Sequence, residues 1–172
     1  MGKINFTLPN FNYTVYKWMH EDNVTILDRA GEFEEQNLKY LEAGYNHNNS
    51  MYYRAFDVDD DVHEFCRTLF PRYSVGIMKQ PVGQTLPIHE DTFYQFAKNY
   101  DVDPYDCVRV NIFLEDWKSG HYFEINDNPV LHWKRGDAIL IKRDEPHVSG
   151  NMGMETKYTM QITGVLNELK RC

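Results

Sequence analysis

From Tyr73 onward the chain breaks into short runs rich in β-branched and aromatic residues: Tyr73 to Met78, Cys107 to Leu114, Tyr122 to Ile125, Ala138 to Lys142 and Tyr158 to Val165. Turn formers punctuate them at Gly83, Gly120, Asn126-Asp127-Asn128-Pro129, Gly136-Asp137 and Gly150 to Gly153. Several short strands with turn signals at this density predict a mainly β (α+β) fold, an antiparallel sandwich or barrel. The first seventy residues supply supports. The first thirty residues mix aromatic and β-branched residues with turn formers, as in Phe11 to Tyr16, and are expected to form a strand or two; Gly31 to Ala43 reads as a helix with an acidic start, apolar Leu38 and Leu41, and Gly44 as its stop. Asp57 is expected to cap a second helix, in which Val58, Val62, Phe65, Cys66 and Leu69 recur at helical spacing until Pro71. Both helices are expected to pack outside the sheet. The chain reads as a single domain, 1–172, with supports in 1–72, the β core in 73–166 and a tail at 167–172.

At 172 residues such a domain buries roughly 70% of the surface its unfolded form would expose. Cys66, Cys107 and Cys172 are odd in number and lack the paired short spacing of a disulfide framework or zinc site, so a reducing, cytoplasmic setting is expected. No apolar run is long enough for a membrane span, and residues 1–10 lack the layout of a signal peptide. A net charge of -8 argues against a sequence-independent grip on nucleic-acid phosphates, which needs clustered Lys and Arg.

The segment Pro87-Ile88-His89-Glu90-Asp91 carries the chemistry. On an extended chain, residues i and i+2 point to one face, so His89 and Asp91 can reach one metal ion together. His147, in Glu145-Pro146-His147-Val148-Ser149, is the candidate third ligand. Two His and one carboxylate with open positions suit non-haem Fe(II) and O2 chemistry. His20-Glu21-Asp22 repeats the tripeptide, but it follows Trp18-Met19 in what reads as a polar connection, where a solvated turn is expected. Ten residues after His147, Lys157 and Thr159 share one strand face, where an ammonium and a hydroxyl can hold a carboxylate.

The ordered set His89-Glu90-Asp91, Ile112-Phe113-Leu114-Glu115-Asp116, Gly120-His121-Tyr122-Phe123, Trp133-Lys134-Arg135-Gly136-Asp137, His147 and Lys157-Tyr158-Thr159 resembles the 2-oxoglutarate- and Fe(II)-dependent dioxygenases, especially their compact prolyl-4-hydroxylase-like branch. The resemblance covers about half of the chain, from Met78 to Val165. It implies a double-stranded β-helix (a jelly roll, cupin-like) with iron held by His89, Asp91 and His147. It also implies 2-oxoglutarate chelated through its keto acid end, with Lys157 on its distal carboxylate and Thr159 as a second donor. Arg109 is an alternative partner for that carboxylate or for one on the substrate, or else a structural ion pair. Two positions depart from the family pattern: Gln80 stands where many relatives have Tyr, and Lys157 where many have Arg, a point charge in place of a planar fork. The retained carboxylate ligand Asp91 favours hydroxylation over halogenation.

The activity expected from the resemblance is hydroxylation of an unactivated C–H bond of a small molecule or peptide side chain, using O2 and releasing succinate and CO2. A second reading is a cupin-like metal-binding or isomerase domain holding Zn(II) or Mn(II), since a fold does not fix a function. A third is a catalytically silent barrel using the aromatic connection Phe93 to Tyr105 as a contact surface. That connection is either a lid beside the site or a short helix packing Phe93, Phe96 and Tyr100 on the sheet. Oligomeric state and primary substrate stay open.

Overall fold

The computed structural model describes residues 4–22, 34–46 and 48–170. Among the described residues eleven strands are formed: β1 (Ile4–Asn5), β2 (Met19–Asp22), β3 (Met51–Ala55), β4 (Tyr73–Gln80), β5 (Thr85–His89), β6 (Cys107–Phe113), β7 (His121–Ile125), β8 (Asn128–Pro129), β9 (Asp137–Lys142), β10 (His147–Asn151) and β11 (Lys157–Val165). The helices among the described residues are α1 (Glu34–Glu42), α2 (Asp60–Leu69) and α3 (Tyr94–Tyr100). A seven-stranded sheet runs β1-β9-β6-β11-β4-β3-β2, and a four-stranded sheet runs β5-β10-β7-β8. From β4 the chain alternates between them, β4 in the large sheet, β5 in the small, β6 in the large, β7 and β8 in the small, then β9, β10 and β11 in turn. Antiparallel pairing of β4 and β6 with β11, and of β5 and β7 with β10, closes this winding into a jelly roll, the double-stranded β-helix.

Strand alternation decides what lies inside. On β11, Tyr158, Met160 and Ile162 face one way and Lys157, Thr159, Gln161 and Thr163 the other. The apolar set joins Val75 and Ile77 of β4 and Val108, Val110 and Ile112 of β6 in the main hydrophobic cluster. That cluster is completed by Val62, Cys66 and Leu69, one face of α2, and by Phe6 and Leu8 from the amino-terminal segment. The largest core therefore lies on the outer face of the large sheet, beneath α2. Between the sheets, apolar packing is confined to two smaller clusters. One is built on Phe113, Phe123, Ile139 and Ile141, with Trp133 stacked on Phe113 at 4.0 Å. The other joins Phe93, Phe96 and Ala97 to Cys107 and Val165. The polar faces of β4, β6 and β11 lie between these clusters.

Gly164 shows how tightly α2 is clamped to the sheet. A Cβ there would sit 2.3 Å from Cδ1 of the fully buried Phe70, just past the end of α2. Gly164→Ala is expected to destabilise the fold by about 3 kcal/mol, the upper end of overpacking costs, lowering Tm by roughly 6 to 12 °C. Calorimetry of Gly164→Ala alone and combined with Phe70→Leu checks this; the double variant should recover part of the loss, because the smaller side chain yields the space.

Several sequence expectations shift. The strand or two expected in the first thirty residues are formed as β1 and β2, while Phe11 to Tyr16 lies outside them; Tyr13–Val15 is a 3-10 turn, initiated by the Asn12 side chain accepting from the Thr14 amide. Asp59 rather than Asp57 takes the N-cap position of the second helix, without a side-chain capping hydrogen bond, and Val58 enters the core before the helix begins. Leu38 and Leu41 of α1 are half exposed, and α1 instead buries Asn37 and Tyr40. The Tyr40 hydroxyl donates to the Ile88 carbonyl and anchors the end of β5. The aromatic connection forms α3 and packs Phe93, Phe96 and Tyr100 against the barrel end, the helical alternative. Glu32 lies outside the described residues. Among those described, no helix is long and apolar enough to cross a membrane.

Candidate metal centre

The antiparallel pairing of β5 with β10 sets His89 directly across from His147, with ring centroids 4.2 Å apart. Each imidazole uses its Nδ1 on the carbonyl two residues earlier, His89 on Pro87 O at 2.8 Å and His147 on Glu145 O at 2.9 Å. A carbonyl only accepts, so both Nδ1 atoms carry the proton and both Nε2 lone pairs are left for a ligand. Asp91 lies two residues beyond His89, and its Oδ2 is 3.9 Å from His147 Nε2. One donor atom from each of the three lies within 4.8 Å of the others. Just after Asp91 the chain reverses through Phe93, whose φ of +54° is left-handed, and enters α3. A buried aromatic residue in that conformation is costly, so the packing of α3 fixes where β5 ends and Asp91 begins.

Electrostatics prepare the three groups for a cation. Burial, with His147 beside it, pushes the His89 imidazole down to about 4. Burial likewise lowers His147. Both are neutral at pH 7, the form that ligates. Burial, the largest single effect, works to raise the Asp91 carboxyl, but the Arg109 guanidinium together with His147, His89 and Arg54 outweighs it and holds the acid below its usual range. Arg109 Nη1 donates to Asp91 Oδ1 at 2.8 Å, while Asp91 Oδ2 is buried with no hydrogen-bond partner. An orphaned, ionised carboxylate oxygen facing two imidazole lone pairs fits a divalent metal, which would satisfy all three at once.

A narrow crevice runs from His147 along the polar faces of β4 and β11, with about 10 Å3 of free internal volume. Gln80, Asn111, Ser149, Lys157, Thr159 and Gln161 line it, together with Met78, Leu86 and Phe123. Lys157 is buried, and its Nζ donates to Ser149 Oγ at 2.6 Å, Tyr122 O at 2.7 Å and Gly150 O at 3.1 Å. The Ser149 hydroxyl in turn donates to Gln80 Oε1 at 2.9 Å. All the groups accepting from Lys157 are uncharged, and burial pushes its ammonium down to about 7.

The structure brings His89, Asp91 and His147 together and places Lys157 and Thr159 in the adjoining cavity. Arg109 stands apart from Lys157, paired to Asp91. The rival tripeptide lies not in a turn but on the edge strand β2; His20 is exposed, with Nε2 2.9 Å from Met51 Sδ, and takes no part in the cluster. Sequence reasoning missed Ser149, Asn111, Gln161 and Arg54. Three of them were within reach of the rule that found Thr159: Ser149 follows His147 by two, Gln161 follows Thr159 by two, and Asn111 follows Arg109 by two on an extended chain. Arg54 carries no such signal, since it joins this face only through the pairing Arg54 to Met78 between β3 and β4.

No family model matches the sequence, and neither does any characterised protein. Solved structures are similar in fold. Among them are a predicted oxalate decarboxylase from Thermotoga maritima, 15% identical with a TM-score of 0.46 over 68% of this chain and 83% of that one. The cupin domain of Cnp3 from Schizosaccharomyces pombe is 11% identical with a TM-score of 0.44 over 66% of this chain and 61% of that one. KdgF from Halomonas sp. is 9% identical with a TM-score of 0.43 over 70% and 80%. At such distances these likenesses carry nothing about reaction or ligand.

Proposed function

We propose that this protein is a non-haem Fe(II)- and 2-oxoglutarate-dependent dioxygenase that hydroxylates an unactivated C–H bond of a small molecule or a peptide side chain, with release of succinate and CO2. The observation that carries the reading is Lys157: a fully desolvated ammonium with only neutral acceptors, at the floor of a cavity that opens on His147. A buried, unpaired charge is costly until an anion reaches it. Lys157 bonds Ser149, two residues and so about 6.6 Å along the strand from His147. That is the reach of a five-carbon keto diacid chelated at the metal.

Each residue then has a task. The Nε2 atoms of His89 and His147 and the free Oδ2 of Asp91 would hold the ion. Arg109 keeps Asp91 ionised and fixes its orientation. Lys157 binds the distal carboxylate of the cosubstrate, with the Thr159 hydroxyl beside it. Phe123 and Met78 close the cavity walls against water. The iron, when bound, supplies the redox chemistry that couples decarboxylation of 2-oxoglutarate to transfer of one oxygen atom from O2 to the substrate.

A second reading is a cupin-like metal-binding or isomerase domain using Zn(II) or Mn(II). Lys157 favours it in one respect: its three hydrogen bonds are already complete without a cosubstrate. Anaerobic titration of the metal-free protein with Fe(II) and then 2-oxoglutarate separates the two. The oxygenase gives a weak visible charge-transfer band on the second addition. Iron binding without the band selects the second reading, and absence of binding of Fe(II), Zn(II) and Mn(II) alike overturns both.

A further inference from the structure

Asn111, on the inner face of β6, is a polar side chain to which the proposed chemistry has given no task. It is 2% exposed, and its Nδ2 is buried with no hydrogen-bond partner. It lines the crevice that also holds His147 and Lys157. Gln161 lies directly across from it on β11, but its Oε1 accepts instead from Arg54 Nη2 at 3.4 Å. Arg109, two residues earlier on the same face, gives Nη1 to Asp91 at 2.8 Å. A buried amide N–H is ordinarily bonded to protein or water, because leaving it bare costs the full desolvation of the group. The free space in the crevice, about 10 Å3, is that of roughly one oxygen-sized group. A larger ligand therefore enters by displacing side chains, with one of its oxygens in reach of the bare donor.

The spacing of the two donors says which oxygen. Asn111 pairs with Gln161, and Lys157 lies four residues before Gln161, so Asn111 and Lys157 rise from the sheet about 13 Å apart along the strands. A five-carbon diacid sets its terminal oxygens about 7 Å apart on ordinary bond lengths. A hydrogen bond of about 2.9 Å at each end brings the span to about 13 Å. Resting on the oxygenase reading, we propose that Asn111 is a second cosubstrate-binding residue: its Nδ2 donates to the carboxylate at the keto acid end of 2-oxoglutarate while Lys157 holds the distal one, and the pair gauges the length of the diacid. Chelation of an ion by a keto acid uses the keto oxygen and one carboxylate oxygen. The other carboxylate oxygen is the acceptor that Asn111 lacks. The ion supplies the charge at this end, so a neutral donor suffices, whereas the distal end needs the ammonium of Lys157.

The test uses the full chain loaded with Mn(II), which does not turn over, and reads affinity from the proton line broadening of three probes. These are 2-oxoglutarate; pyruvate, which keeps the keto acid end and lacks the distal carboxylate; and 2-oxoadipate, one carbon longer. Asn111→Leu, close to isosteric, should weaken 2-oxoglutarate and pyruvate by the same factor, about tenfold or more, and erase the preference for 2-oxoglutarate over 2-oxoadipate. Lys157→Met should weaken 2-oxoglutarate and spare pyruvate. Asn111→Asp, which turns the donor into an acceptor, should weaken both keto acids further than leucine does, and Asn111→Ser carries the comparison if leucine does not fold. Without ligand, the Tm of Asn111→Leu should be no lower than that of the parent, because the variant removes a bare buried donor; a purely structural asparagine would show the reverse, a lower Tm with affinities intact. That result, or unchanged affinities in every Asn111 variant, would mean that the amide holds only a water and overturns the proposal. So does weakening of 2-oxoglutarate with pyruvate spared, which would set Asn111 at the distal end. Failure of the oxygenase reading shows differently: the unaltered Mn(II) protein then broadens neither keto acid, and the proposal falls with it.

Discussion

His147→Ala should lower Fe(II) affinity by far more than 100-fold. Losing a group that merely orients a ligand costs 10- to 100-fold, and His147 would be a ligand itself. The substitution removes the Nε2 donor nearest Asp91 Oδ2. It leaves His89 and Asp91, two donors from one segment, without the third donor that the paired strand β10 supplies. The effect should be specific to the centre, since His20→Ala alters an exposed ring on the edge strand β2 and should leave iron affinity as it is. Anaerobic titration with a competing chromophoric chelator measures both variants. Equal losses would sink the assignment of the centre, and circular dichroism of each variant guards against unfolding.

Lys157→Met should lower 2-oxoglutarate affinity about 10- to 150-fold while iron binding persists, because a hydrogen bond to a charged group contributes roughly 1.5 to 3 kcal/mol. The pH dependence gives a sharper signature. Burial sets the Lys157 pKa in the folded protein to about 7, against an ordinary value of 10.5. Between those values the unfolded chain binds more protons, so stability should rise with pH from about 7 to 10.5 and lie flat below 7, where the cost of the buried charge is fully present. A bound dicarboxylate favours the charged lysine. Cosubstrate affinity should therefore be level below pH 7 and fall above it, by at most tenfold per pH unit, with proton uptake on binding. In Lys157→Met both slopes should vanish, as measured by calorimetry in buffers of different ionisation enthalpy. An unaltered pH profile in the variant would remove Lys157 from the cosubstrate site.

The strands of the large sheet were legible from β4 onward because they alternate cleanly, whereas β10 was not, since Gly150 and Asn151 read as a turn and pair with β7 instead. Lys157, Thr159, Gln161 and Thr163 interleave with Tyr158, Met160 and Ile162, and a period of two leaves no other assignment. The site was legible where its residues are neighbours in sequence, as with His89 and Asp91, or follow the same alternation, as with Lys157 and Thr159. What stayed hidden depends on pairing between distant strands. Arg54 reaches the cavity through the register of β3 on β4, and Arg109 meets Asp91 only after α3 has turned the chain back. Local chemistry also misled at Asp57, a good cap in isolation; Asp59 takes the N-cap position, and Val58 is drawn into the core. On α1, burial of Tyr40 and its bond to Ile88 override the apolar pair Leu38 and Leu41.

The apolar core beneath α2 separates the labour of staying folded from that of recognising a ligand. Phe70, Val110, Met160 and Ile162 consolidate the chain on one side of the large sheet, while Asn111, Gln161, Thr163 and Arg54 line the cavity on the other. Each strand thus carries two nearly independent texts, one on even and one on odd positions. Changes to the cavity face can alter what is recognised without disturbing the packing that holds the sheet, so selection can explore new substrates with little risk to the scaffold. A library confined to positions 54, 74, 111, 161 and 163 is the natural starting point for redirecting what this barrel binds.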